Sequence, residues 1–263
     1  MRALSISKLR AAATLGAGGL FSPDWAHASA GLGTSPATAL LPDGAAWLLA
    51  GMAVLVLFYC LMRAPWKEIS GTSASHAWLV AAIVLALAWQ LRVPLPGGAA
   101  IHFLGVTLIA LMFGPHLGTL TLGLAAVFSL YLGAGSLERF GLTVLLGAAG
   151  PCWAMHSLLR ATQRYLPQHL FVYLLVIGLF GSALVLGLTA ALQLGVYAAL
   201  QGGHNGEVLM QQALPYALLL AWGEALTVGM LVTLFVIYKP QWMLSFDDRI
   251  YLQRAVARGD ETR

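Results

Sequence analysis

Pro94-Leu95-Pro96-Gly97-Gly98-Ala99-Ala100-Ile101-His102 is a stiff, glycine-jointed turn that delivers a single histidine to the start of an apolar run. Proline fixes φ and removes a donor, and the paired glycines restore freedom, so the stretch reads as a hinge between helices. An ionisable group carried into lipid is costly unless a partner or a substrate compensates it. Neutral imidazole is a good ligand for cobalt, nickel, copper or zinc. The alternative is an imidazole satisfied by a nearby backbone carbonyl at the membrane surface. The transport reading makes His102 the first candidate metal ligand, with Pro94, Pro96, Gly97 and Gly98 as its hinge.

Working outward, the composition fixes the solvent. Of 263 residues, 59% are apolar and only 9% are charged, and the mean hydropathy is +0.81. This is an integral membrane protein with room for several spans of about 20 residues each, and for no sizeable soluble domain. A soluble enzyme is excluded on those grounds, and HExxH, GxSxG and paired-Asp patterns are absent, so no enzyme activity is expected. The net charge of +4 is spread over short loops and a tail. It speaks to orientation in the bilayer and not to nucleic acid. Cys60 and Cys152 fall inside apolar stretches without CxxC spacing and read as small packing residues.

Residues 1–30 read as a signal peptide or amino-terminal anchor. Arg2, Lys8 and Arg10 precede an apolar run, followed by Pro23 and Ala26-His27-Ala28-Ser29-Ala30. Cleavage there would leave Ser29 or Gly31 at the amino terminus. Residues 31–238 form the transmembrane domain and 239–263 a cytoplasmic tail. Apolar stretches at 45–63, 77–92, 100–114, 117–134, 141–158, 170–200 and 210–238 predict an all-α bundle of about seven transmembrane helices. Gly114-Pro115-His116 must turn tightly between the third and fourth, because proline cannot continue the helical ladder.

Arg63, Lys67, Arg160, Arg164, Lys239 and the tail arginines fall on one side of this scheme, against Arg92 and Arg139 on the other. The positive-inside bias then puts the carboxyl terminus in the cytoplasm of a bacterial inner membrane, with the processed amino terminus and the Pro94 hinge outside. His102 faces the outer mouth. His76 and His169 fall in cytoplasmic loops, His116 in the inner turn and His204 in the outer loop 201–206. His156 shares a helical face with Cys152 four residues earlier. Ala183, Gly187, Ala191 and Gly195 make a smooth ridge, as do Ala46 and Ala50, suited to close helix packing or to a partner subunit. Glu224 lies halfway down the last span. At that depth a carboxylate must be protonated, paired with a cation or hydrogen-bonded to another helix. A structural hydrogen bond near the site is favoured over ligation.

Pro94-Leu95-Pro96-Gly97-Gly98-x-x-x-His102-x-x-Gly105, followed by Phe113-Gly114-Pro115, resembles the signature of the CbiM/NikM family. These are the substrate-capturing membrane components of energy-coupling-factor cobalt and nickel importers. Leu132-Gly133-Ala134-Gly135-Ser136-Leu137 is similar to the family's glycine-rich loop, Gly150-Pro151 follows in register, and Gly223-Glu224-Ala225 resembles its last-helix acidic motif. The resemblance covers about residues 42–238. It implies a bundle of six or seven spans that takes a divalent transition metal from outside as substrate, with no covalently bound cofactor. The chain has no Walker A pattern. The resemblance therefore implies a coupling transmembrane subunit and separate ATPase subunits as partners, besides the lipid bilayer.

In that family, the resemblance implies, the metal sits in a planar nitrogen site made by the amino terminus, a histidine of a Met-His-x-Pro-Asp-Gly start and the histidine of the Pro-Gly-Gly block. His102 matches the last, and Pro42-Asp43-Gly44 matches the end of the start motif. The Met-His is replaced by Ala39-Leu40-Leu41, and asparagines usual after the glycine-rich loop give way to apolar residues or Thr143. One imidazole cannot enforce square-planar selection. Either the site is rebuilt with Glu224, His204 or, in an uncleaved chain, His27, or this branch handles another cargo. The sequence thus predicts a component of a cobalt- or nickel-like uptake system. The alternative is an assembly or accessory protein on the same scaffold, without transport.

Overall fold

A computed structural model of the chain describes residues 43–71, 73–90, 92–94, 100–102, 105–132, 137–167, 169–201 and 203–246. The expected leader 1–30 with His27, the Pro42 start motif, hinge residues Pro96, Gly97 and Gly98, the glycine-rich loop 133–136 and most of the tail lie outside the described residues.

Helix α1 runs Asp43–Arg63, a short α2 Trp66–Ile69, and α3 Ser73–Ala88. Strands β1 (Arg92–Pro94) and β2 (Ala100–His102) pair antiparallel with Arg92 opposite His102. Helix α4 runs Val106–Tyr131. Helix α5 (Leu137–Leu142) continues through a π-helical stretch Thr143–Ala149 into α6 (Gly150–Tyr165). A second π-helical stretch, Val172–Gly181, leads into α7 (Ser182–Gln201), and α8 is Gly203–Tyr238.

Among the described residues, five stretches are long and apolar enough to cross a membrane: Gly44–Arg63, Val106–Tyr131, Arg139–Tyr165, Val172–Leu200 and Gly206–Tyr238, with Ser73–Ala88 a shorter apolar helix. The all-α bundle is as expected, and the expected count of about seven helices is approximate. The third and fourth expected spans are two limbs of α4, broken at Gly114, whose φ of 76° and ψ of −179° are not helical. A Cβ at Gly118 would stand 3.4 Å from the Ala110 Cα. In an unbroken helix residues eight apart are separated by about 12 Å. The chain therefore folds back at Gly114-Pro115. Limb 115–131, about 26 Å long, comes near the thickness of a hydrocarbon core of about 30 Å, and limb 106–113, about 12 Å long, does not.

The two limbs form the centre of the bundle. In α4 72% of the most apolar window is buried, against 22% for α1, so α1 meets lipid where α4 meets protein. Helix α3 runs parallel to the long limb, with the Trp78 indole donating to Thr121 Oγ1 at 2.8 Å and the Gln90 amide to Ser129 Oγ at 3.1 Å. Helices α7 and α8 are antiparallel neighbours, joined through Ala183, Leu186, Ala221 and Ala225, with Gly187 against Leu218. That half of the small-residue ridge packs within the bundle. Ala46 and Ala50 are buried too, and the Leu49–Ala50 backbone lies against Gly141. At the end of the bundle where α1, α6 and α8 finish, the Met112 carbonyl accepts the Leu244 N–H at 2.8 Å. Tyr173 and Ser245 share a hydrogen bond of 2.7 Å there.

Candidate cation site

The ladder puts His102 at the bundle-proximal end of β2, opposite Arg92, which follows Gln90 by two residues, while Pro94 pairs with Ala100 at the distal end. The backbone then reaches Gly105, which has a left-handed conformation (φ 62°, ψ 6°) that a side chain would strain, and enters the short limb of α4. With Ala110 against Gly118, Gly105 stands about five helical rises further from the turn, level with the middle of the long limb.

There it meets Glu224. The Gly105 N–H donates to Glu224 Oε1 at 2.6 Å, a buried bond between residues 119 positions apart. Glu224 is only 3% exposed. The carboxylate also lies at the positive end of the short limb, where negative charge is favourable. The contact between the last helix and the segment that follows β2 is made by the backbone of Gly105.

His204, expected in a loop, instead lies exposed in the first turn of α8. Twenty positions separate it from Glu224 on the same helix, about 30 Å at the helical rise, so the two cannot share one ion. His76, also expected in a loop, sits exposed in the first turn of α3, and His169 is an exposed loop residue. Among the described residues no three His, Cys, Asp or Glu side chains converge in a way that could hold a metal ion.

A second cluster was not anticipated as a unit. At the α4 turn the His116 ring lies edge-on to Tyr59 (centroids 5.9 Å) and to Trp153 (5.1 Å). One turn on, the Thr119 hydroxyl donates to the Pro115 carbonyl at 2.7 Å, and Cys60 and Cys152 are each fully buried. His156 is only half-buried, so Cys152 and His156 do not face the same surroundings. The aromatic spacing carries no signal in one dimension, because the three rings come from three helices.

The comparison with known families decides the affiliation. The family described as "CbiM: Cobalt uptake substrate-specific transmembrane region" matches residues 37–242. The chain belongs to the CbiM family. Two crystal structures, one of a transition metal transporter and one of a truncated transition metal transporter, share its fold. The truncated one has a TM-score of 0.60 at 20% identity, covering 76% of this chain and 96% of that one. The other has a TM-score of 0.59 at 20% identity, covering 76% and 91%. A comparison with curated proteins finds no match. The CbiM match begins ahead of Pro42 and includes the hinge, both limbs of α4 and Glu224, so the Gly105–Glu224 contact lies inside the family domain.

Proposed function

We propose that this CbiM-family chain is the membrane component of a transition-metal uptake system that captures a divalent, cobalt- or nickel-like cation from the outer side of a bacterial plasma membrane. The observation that carries the reading is the family match across residues 37–242. The His102 segment, rooted at mid-depth through Gly105, is a fitting place for the ion, because irregular backbone at membrane depth is tolerated where it lines a cavity. His102 is the proposed ligand, and Glu224 and His204, about 30 Å apart on α8, do not both accompany it. Arg63, Arg160, Arg164 and Lys239 end α1, α6 and α8 at one end of the bundle, which supports a cytoplasmic carboxyl terminus and an outward ladder. Without a nucleotide-binding loop in the chain, the work would come from ATPase subunits acting through a coupling membrane subunit.

Cells expressing the chain with its coupling subunits should accumulate cobalt or nickel, and His102→Ala should reduce accumulation to the level of cells lacking it. Equal uptake of cobalt, nickel, copper and zinc by both would sink the proposal. The replacement of Met-His by Ala39-Leu40-Leu41 favours one alternative, an accessory protein that keeps the scaffold without moving ions. A stable complex with another membrane protein, metal-free by elemental analysis, would select it.

A further inference from the structure

The short limb of α4 begins inside the bundle, and the first N–H groups of a helix have no partners within it. A side chain at the N-cap ordinarily serves them. Gly105, at that position, has no side chain to offer. The one hydroxyl in the first turn, Thr107 Oγ1, is buried and makes no hydrogen bond. The cap comes instead from the facing helix, where Glu224 Oε1 accepts the Gly105 N–H at 2.6 Å. That N–H belongs to the residue three positions after His102, so only residues 103 and 104 intervene between the candidate ligand and an anchor on α8.

The geometry points to Glu224 as the positioning residue of the cation site. Its carboxylate, carried by α8, holds the Gly105 end of the histidine segment and so sets where His102 stands in the bundle, without taking the cation as a ligand. A single hydrogen bond suffices because the rest of the connection is short: β2 is held on one side by its ladder to β1 and on the other by this contact. The polarity also fits, because an acceptor oxygen is favourable at the positive end of a half-helix. The inference rests on the reading of His102 as the cation's ligand, and its test separates the two.

A nitroxide attached at Ile101→Cys reports the mobility of β2, since Cys60 and Cys152 are fully buried and do not compete for label. Its spectrum is compared in the wild-type background, in Glu224→Gln, which keeps an acceptor oxygen, and in Glu224→Ala, which does not. Cobalt uptake kinetics are measured on the same Glu224 variants without the label. In Glu224→Ala the label should loosen and the KM for cobalt should rise about tenfold or more, the range seen when groups that orient a metal ligand are removed. Vmax per folded protein should stay unchanged, and Glu224→Gln should behave as wild type in both measurements. An unmoved label in Glu224→Ala overturns the inference whatever the metal does. A loosened label with unaltered KM, while His102→Ala abolishes uptake, overturns it as well. Equal KM losses in Gln and Ala variants would make Glu224 a ligand and overturn the positioning role. Uptake indifferent to His102→Ala sinks the transport reading instead, and the label then judges the anchor alone.

Discussion

Ala110 and Gly118, eight positions apart, are in contact across the fold in α4, and Cys152 Sγ closes the same gap at 3.2 Å from where a Gly118 Cβ would be. Neither limit is a flexible side-chain end that can swing aside, since one is backbone and the other a fully buried thiol. Gly118→Leu should therefore push the limbs apart at a cost of about 1–3 kcal/mol, the usual range for overpacking. Thermal unfolding of the detergent-solubilised protein reads this as a lowered Tm. An unchanged Tm would mean the short limb does not lie on the long one.

Gly114→Ala addresses the turn itself. With φ at 76° and ψ at −179°, Gly114 occupies a region essentially reserved for glycine, and nothing lies within 4 Å of its missing Cβ. Space is therefore not the issue and backbone strain is, at about 1–3 kcal/mol. The control is Gly44→Ala in α1, where space is equally open and the backbone is helical. There alanine should stabilise by up to about 1 kcal/mol through helix propensity. A lowered Tm for the first and an equal or raised Tm for the second are expected, and the opposite order would refute the fold-back.

The position of that turn was legible because Gly114-Pro115 forbids a continuous ladder whatever surrounds it. The length of the limb before it was not. An apolar run such as 106–113 reads alike whether it crosses lipid or is buried among other helices. Glu224 announced itself by the cost of a carboxylate in an apolar span. Its partner, the Gly105 N–H, carries no sequence signature because every residue but proline has one. The distance between Glu224 and His204, two of the alternative candidate ligands, was hidden for a related reason. Sequence placed His204 in a loop able to reach inward, but α8 begins at Gly203 and fixes His204 about 30 Å from Glu224. The family signature around His102 was legible because proline, glycine and histidine each carry a backbone or chemical constraint of their own, whereas the outward leucines of α1 and α3 constrain little beyond the solvent they face.

Trp78 and Thr121 tie α3 to the long limb by an indole-to-hydroxyl bond of 2.8 Å, while the same hydroxyl donates back to the Leu117 carbonyl. Thr121→Val keeps the shape and leaves the indole N–H without its acceptor, at a cost of about 1–3 kcal/mol for a partly buried donor. In a Trp78→Phe background the same change should cost much less. A double-mutant cycle by thermal unfolding checks this, and a coupling energy of zero would remove the bond from the account of how α3 is held.

Cys60 on α1 and Cys152 on α6 are both fully buried, and Cys152 lies against Gly118 on the long limb, so the two thiols report on how these helices pack. Reaction with a maleimide needs a thiolate and room for the reagent, and an apolar interior withholds both. The native protein in detergent should therefore take up almost no label, and the protein unfolded in dodecyl sulfate should take up two labels per chain, read by mass spectrometry. Gly118→Leu crowds Cys152 directly, so labelling in that variant should appear at Cys152. Rapid labelling of both thiols in the native wild-type protein would contradict the packing of α1 and α6 on the long limb, on which the position of the Gly114 turn, and through it of Gly105, depends.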